Sequence, residues 1–286
     1  VTLDEKGKML TGGNVELVVA LLEGLDVDVI GLNCGLGPVQ LLPLIRRMAE
    51  IASVPVMVNP NAGLPRSIDG KTVFDVDSEE FSDCMAEIAE IGAGILGGCC
   101  GTTPEYIRKT VEKTAAMPFT PVKEKNYTFV SSYTHAVEIG SSPVLIGERI
   151  NPTGKPKFKQ ALRDGNISYI INEGVMQEEK GVHILDVNVG LPEIDEDMML
   201  VRCVRELQTV SSLPLQIDTV KASAMEKAMR IYNGKPLINS VNGKQESMDA
   251  VLPLVKKYGG TLIALTIDED GIPDTAEGRT AIAEKI

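Results

Sequence analysis

Tryptophan is absent from these 286 residues and aromatics make up only 4 %. That excludes a base-stacking surface for single-stranded nucleic acid. Basic charge is in deficit: Lys+Arg 28 against Asp+Glu 40 leaves a net charge of −12, which repels a phosphate backbone. No apolar run nears the roughly 20 residues that span a bilayer. The opening VTLDEKGKM lacks the basic and apolar regions of a signal peptide. Histidine occurs twice and cysteine five times, an odd and sparse count that rules out a disulfide framework. Together these absences predict a cytoplasmic protein without nucleic-acid or membrane partners. The missing start methionine predicts a piece of a longer chain.

Hydrophobic residues supply 43 % of the chain, ample for a core, and they follow a regular rhythm. Helical patterns at 14–24, 38–52, 78–91 and 104–116 alternate with short apolar runs at 27–33, 54–59 and 94–98. The turn-rich NPNAGLPRSIDGKTVFDVD reads as a loop. Between 118 and 142 the periodicity breaks into a polar, Pro-bounded stretch that reads as an interdomain linker with some hairpin character. The rhythm then resumes with strands at VLIGER, HILDVNVG, LPLQIDT, KPLINSV and TLIALTIDEDG, each followed by a helix. Alternation of this kind implies parallel βα units. The expected fold is α/β: two (β/α)8 TIM-type barrels, both incomplete. Residues 1–117 would be the C-terminal part of the first, 118–142 the linker, and 143–286 the N-terminal part of the second.

Chemistry concentrates where strands end. Cys84 and Cys203 lie in amphipathic helical patterns and read as small buried hydrophobes. Cys34, in GLNCGLGP, and Cys99 and Cys100, in GGCCGTTPEYI, follow apolar strands instead. On the rim of a parallel barrel those three thiols can converge. Three sulfurs hold zinc and leave a fourth position open, the mark of a catalytic site. The alternative is a tight turn with incidental cysteines. An open zinc–thiolate site suits the activation of a second thiol, which near pH 7 is otherwise mostly protonated. The two histidines, His135 in the linker and His183 before a strand, read as surface or core residues.

GLNCGLGP, VNPNAGLP and GGCCGTTPEYI resemble the last strand-end motifs of the homocysteine S-methyltransferase family. The resemblance implies that Cys34, Cys99 and Cys100 hold a catalytic Zn2+, and that Asn61 lines the homocysteine site. Read without it, Asn61 serves equally as a turn residue. IGERINPTGK, LDVNVG, QIDTVKA, INSVNGK and LTIDEDGIP are similar, in order, to the strand ends of the pterin-binding barrels. The two together, across essentially the whole chain, resemble the module order of the cobalamin-dependent methionine synthase family.

That resemblance implies a methyltransferase: methyl passes from 5-methyltetrahydrofolate, by way of cobalamin, to zinc-activated homocysteine. The cobalamin would be carried by a module of the parent protein outside this chain, since no DxHxxG motif occurs here. It also implies that Asp218 and Asn239 bind the donor/acceptor edge of the pterin, with Glu148 and Asn151 nearby and Asp186 and Asn188 in the same rim layer. A carboxylate accepts two donors side by side and an amide both donates and accepts, as such an edge requires. Strand-end Asp and Asn also cap helices, and Asp218 before VKASAMEKAM could do so. Asp268 and Asp270 read as solvated loop carboxylates, and KPKFK as a solvated face. Two other functions stay open: a zinc-dependent homocysteine methyltransferase with another donor, and a folate- or corrinoid-binding protein without turnover.

Overall fold

The structure, a computed structural model, describes residues 1–286 as two compact units that part between Asn126 and Tyr127. The first unit runs α1 (Val15–Gly24), β1 (Ile30–Asn33), α2 (Pro38–Ile51), β2 (Val56–Asn59), β3 (Pro65–Ile68), β4 (Lys71–Phe74), α3 (Ser78–Ile91), β5 (Ala93–Leu96) and α4 (Pro104–Thr114). Its parallel sheet has the order β1-β2-β5. Side-chain chemistry sets the helix starts. Asn14 accepts from the Leu17 amide, Asp77 accepts from Glu79 and Glu80, and Pro38 and Pro104 occupy first-turn positions. α2 and α3 turn apolar stripes inward, burying Leu41, Ile45 and Met48 from the one and Phe81, Met85 and Ile88 from the other.

The stretch expected as a plain loop holds the antiparallel hairpin β3–β4. Its turn is Asp69–Gly70, both at positive φ, the conformation that an Asp-Gly pair favours. The flanking strands are almost wholly exposed, so no apolar alternation betrays them.

The second unit runs β6 (Thr128–Ser131), β7 (Ala136–Ile139), β8 (Ile146–Ile150), α5 (Pro156–Arg163), α6 (Ile167–Glu178), β9 (Ile184–Val187), α7 (Glu196–Val210), β10 (Leu215–Asp218), α8 (Ala222–Ile231), β11 (Leu237–Asn242), α9 (Gln245–Tyr258), β12 (Thr261–Leu265) and α10 (Ala276–Lys285). β8 to β12 form one parallel sheet in sequence order. One face, with Leu185, Val187, Leu215, Ile217 and Ile238, packs on the helices around Leu200, Val204, Leu207 and Met225. Sheets of parallel, sequential strands with a helix after each are parts of TIM-type barrels.

Little of 118–142 remains as free linker. Lys125 Nζ reaches Glu23 Oε2 at 2.7 Å and the Ile51 carbonyl at 2.6 Å, tying the front of the stretch to the first unit. The β6–β7 hairpin belongs to the second. Ser131 N donates to Lys235 O at 2.8 Å, and Tyr232 Oη donates to Ser131 O at 2.8 Å while accepting from Leu215 N. Val130, Val137 and Ile139 join Ile146, Ile184, Leu237 and Ile263 in a second apolar cluster. The hairpin thus closes the end where the strands begin and leaves the carboxyl ends for chemistry. No helix is long and apolar enough to cross a membrane.

Candidate metal centre and strand-end polar layer

In the first unit the carboxyl ends of β1, β2 and β5 are laced together by backbone hydrogen bonds. Cys34 N donates to Asn59 O, Cys99 N to Pro60 O, and Ala62 N to Cys100 O, at 3.0, 2.8 and 2.9 Å. Cys34 sits at φ 60° and Gly35 at φ 72°, a reversal that brings the thiol over the strand end. The three sulfurs meet: Cys34 Sγ lies 3.8 Å and Cys99 Sγ 3.9 Å from Cys100 Sγ, and all three lie within 4.8 Å of one another. A tetrahedron with Zn–S bonds of about 2.3 Å has edges of about 3.8 Å, so the trio fits one face of a zinc site.

Electrostatics favours a cation here. The Gly35 backbone N–H holds the Cys34 thiol below its ordinary value, against desolvation and with help from Cys99, Cys100 and Asn61. Cys100 is pushed up to about 11 by hydrogen bonding and charge repulsion from the other two. One thiol is lowered and the next raised, a conflict that a divalent ion removes. Asn61 is 3 % exposed, and its Oδ1 accepts from Cys100 N at 3.1 Å. It is more than a turn residue: it holds the second cysteine loop in place. Cys203 is fully buried with its thiol pushed up to about 12, and burial also raises the half-buried Cys84. In the second unit, His183 Nδ1 accepts from Leu145 N.

In the second unit the polar residues gather at the same end of the sheet. Asp218 and Asn239 are register partners on β10 and β11. Asn188 Nδ2 donates to Asp218 Oδ2 at 3.0 Å, while its own Oδ1 accepts from Gly190 N. Burial raises the Asp218 carboxyl, and the Asn188 hydrogen bond works the other way. Asp218 does not cap α8; that helix starts at Ala222 after its N-cap Lys221, whose amide donates to Thr219 Oγ1. Asp186 on β9 is 1 % exposed and is raised to about 7, first by burial and then by Asp218. Asn151 is buried with Oδ1 accepting from Thr153 N, and Glu148 is exposed on β8. Asp268 and Asp270 form a local turn, Asp270 N donating to Asp268 Oδ1.

Sequence reasoning passed over Gln216, which is buried and donates to Asp186. Its place two residues before Asp218 puts it on the same face, but a strand pattern does not tell solvent from a buried acid there. Gln177, bonded to Arg149 N and Glu173 O, was equally silent; nothing in a helical pattern distinguishes it from a surface glutamine.

Comparison with known proteins separates the two units. Residues 1–114 match the homocysteine S-methyltransferase family, and residues 147–285 match the pterin-binding enzyme family. The two family matches follow one another along the chain, one in each unit. The chain is similar along its whole length to methionine synthases. It is 32 % identical to methionine synthase of Mycobacterium leprae (strain TN) over an alignment of 299 residues, and 32 % identical to that of Mycobacterium tuberculosis (strain ATCC 25618 / H37Rv) over 295. Both alignments take in the whole chain and 25 % of the relative, so the chain spans about a quarter of the length of these proteins. Among solved structures, the carboxyl transferase domain of Rhizobium etli pyruvate carboxylase with 3-bromopyruvate aligns at TM-score 0.25 and 12 % identity. That alignment covers 99 % of this chain and 42 % of that one, and a likeness so slight bears no argument.

Proposed function

We propose that the chain carries the thiol-activating and pterin-binding sites of a methyltransferase that makes methionine from homocysteine and 5-methyltetrahydrofolate. In the net reaction the N5–methyl bond of the folate breaks and a sulfur–methyl bond forms. The proton of the homocysteine thiol ends on N5. A cobalamin on another module of the parent protein would relay the methyl group.

Residues 1–117 would supply the acceptor site. Cys34, Cys99 and Cys100 would hold Zn2+, whose charge lets a bound thiol lose its proton near neutral pH. Their own task is to fix three corners and leave the fourth to the substrate sulfur. Asn61 keeps the Cys100 loop in register and lines the homocysteine pocket. Residues 143–286 would supply the donor site. There Asp218 accepts from the pterin's ring N–H and amino group, Asn239 pairs with the adjoining donor and acceptor, and Asn188 orients the Asp218 carboxylate. Asp186, Asn151 and Glu148 complete the layer. Methyl transfer from N5 needs a proton or hydrogen bond there as charge develops. Five free cysteines fit a cytoplasmic setting, where thiols stay reduced.

The observation that carries this reading is the convergence of three sulfurs at tetrahedral spacing. Elemental analysis tests it: about one zinc per chain is expected, lost in Cys99→Ala. Zinc absent from the unsubstituted protein sinks the acceptor half. Binding of 5-methyltetrahydrofolate, abolished in Asp218→Ala, tests the donor half separately.

A further inference from the structure

Two buried polar side chains on neighbouring strands share one hydrogen bond and have one oxygen each left over. Asp186 and Gln216 are partners in the β9–β10 register, 1 % and 5 % exposed. Gln216 Nε2 donates to Asp186 Oδ1. The remaining oxygens of the same two groups, Asp186 Oδ2 and Gln216 Oε1, are buried without any partner. With an ionised carboxylate, this leaves two desolvated acceptors beside each other, an arrangement that burial penalises heavily. Turning the Gln216 amide over sets oxygen against oxygen and makes it worse.

One proton resolves both. A carboxylic acid and a primary amide pair through two opposed hydrogen bonds: amide N–H to acid carbonyl, acid O–H to amide carbonyl. The first is present, and the two orphaned atoms are the ones the second would join. We propose that Gln216 holds Asp186 as a neutral acid whose Oδ2–H donates to Gln216 Oε1, leaving Asp218 to carry the charge of the strand-end layer.

The surroundings favour that division. The charged groups acting on Asp186 are Asp218 on β10 and Glu148 on β8, both carboxylates, alongside the amides of Gln216 and Asn151. Asp218 has the Asn188 amide as a donor to its Oδ2; Asp186 Oδ2 has none. Negative charge therefore settles on Asp218, and two like charges on adjacent strands are avoided. Gln216 is a positioning residue: it acts through Asp186 and touches no substrate. The consequence for ligand binding rests on the pterin reading of the layer. Asp218 would meet the pterin's donors as the one ionised acceptor, undisturbed by a second carboxylate beside it.

The direct test is carbon NMR of the protein that contains these residues, labelled at the aspartate carboxyls, with Asp186 assigned through its own backbone. Its carboxyl resonance should titrate with a midpoint near 7; a midpoint near the ordinary value of about 4 overturns the pairing. Stability gives an independent reading through Asp186→Asn, whose amide can form the same two-bond ring with Gln216. A carboxyl raised in the folded state keeps its proton after the unfolded chain has lost it. Wild-type stability should therefore fall as pH climbs from about 4 to about 7 and level off above. The Tm advantage of D186N over wild type should widen across that window and stay constant beyond it. Parallel Tm profiles overturn the proposal. If Asp186 titrates near 7 and 5-methyltetrahydrofolate fails to bind, the pairing stands and the donor-site reading falls. Binding with Asp186 titrating near 4 does the reverse.

Discussion

Asn61 shows how much one buried amide can govern. Its oxygen takes the Cys100 backbone N–H inside a loop that would otherwise leave that donor unpaired, and the same side chain helps hold the Cys34 thiol below its ordinary value. Groups that orient metal ligands in this way are worth about 10–100-fold in metal affinity. Asn61→Ala should therefore weaken zinc by that factor, read by competition with a chromophoric chelator, while the fold persists. Unchanged affinity would mean that the three cysteines are placed without it. The cysteine residues were legible in the sequence because GLNCG and GGCCG interrupt apolar runs with turn formers. Gln216 was not, because a polar residue inside a strand looks alike whether it meets solvent or a buried acid.

Between elements, two links decide how the second unit holds together. Asp197, at the start of α7, receives Lys221 at 2.6 Å and Lys227 at 2.9 Å from α8 and its cap, with Ser223 as a third donor. Those partners hold its carboxyl down to about 2. A depressed carboxyl contributes stability that is fully present above its unfolded value of about 4 and is lost as pH falls toward 2. Asp197→Asn should flatten the acid limb of the Tm profile in that window; an unaltered limb refutes the link. The other link is Tyr232, whose hydroxyl bridges Leu215 N and Ser131 O and is 8 % exposed. Tyr232→Phe strands a buried N–H and a buried carbonyl at the seam of the β6–β7 hairpin. It should cost about 1–3 kcal/mol in denaturant unfolding. This hairpin was half visible: the polar, Pro-bounded stretch showed some hairpin character, but its docking under β10 to β12 depends on partners a hundred residues away.

At the scale of the whole molecule, the proposed zinc site would couple metal to fold in the first unit alone. The three thiols come from the loops after β1 and β5, so a bound ion joins strands that are not neighbours in sequence and stabilises only the folded form. Chelation should lower the thermal transition of residues 1–126 and leave that of 127–286 in place, seen as a split endotherm on calorimetry. A shift of both transitions would mean that the units unfold as one.

The sequence by itself determined the alternation of strands and helices, the parallel sheets that follow from it, and that Cys34, Cys99 and Cys100 follow strand ends. Those are local matters of apolar period, helix caps and turn formers. Only the tertiary structure decided which thiols meet, that Asp218 is not a helix cap, that the supposed linker is largely built into the two units, and that Asp186 lies against Gln216. Each depends on the register between strands far apart in the chain, where a shift of one residue sends a side chain to the opposite face.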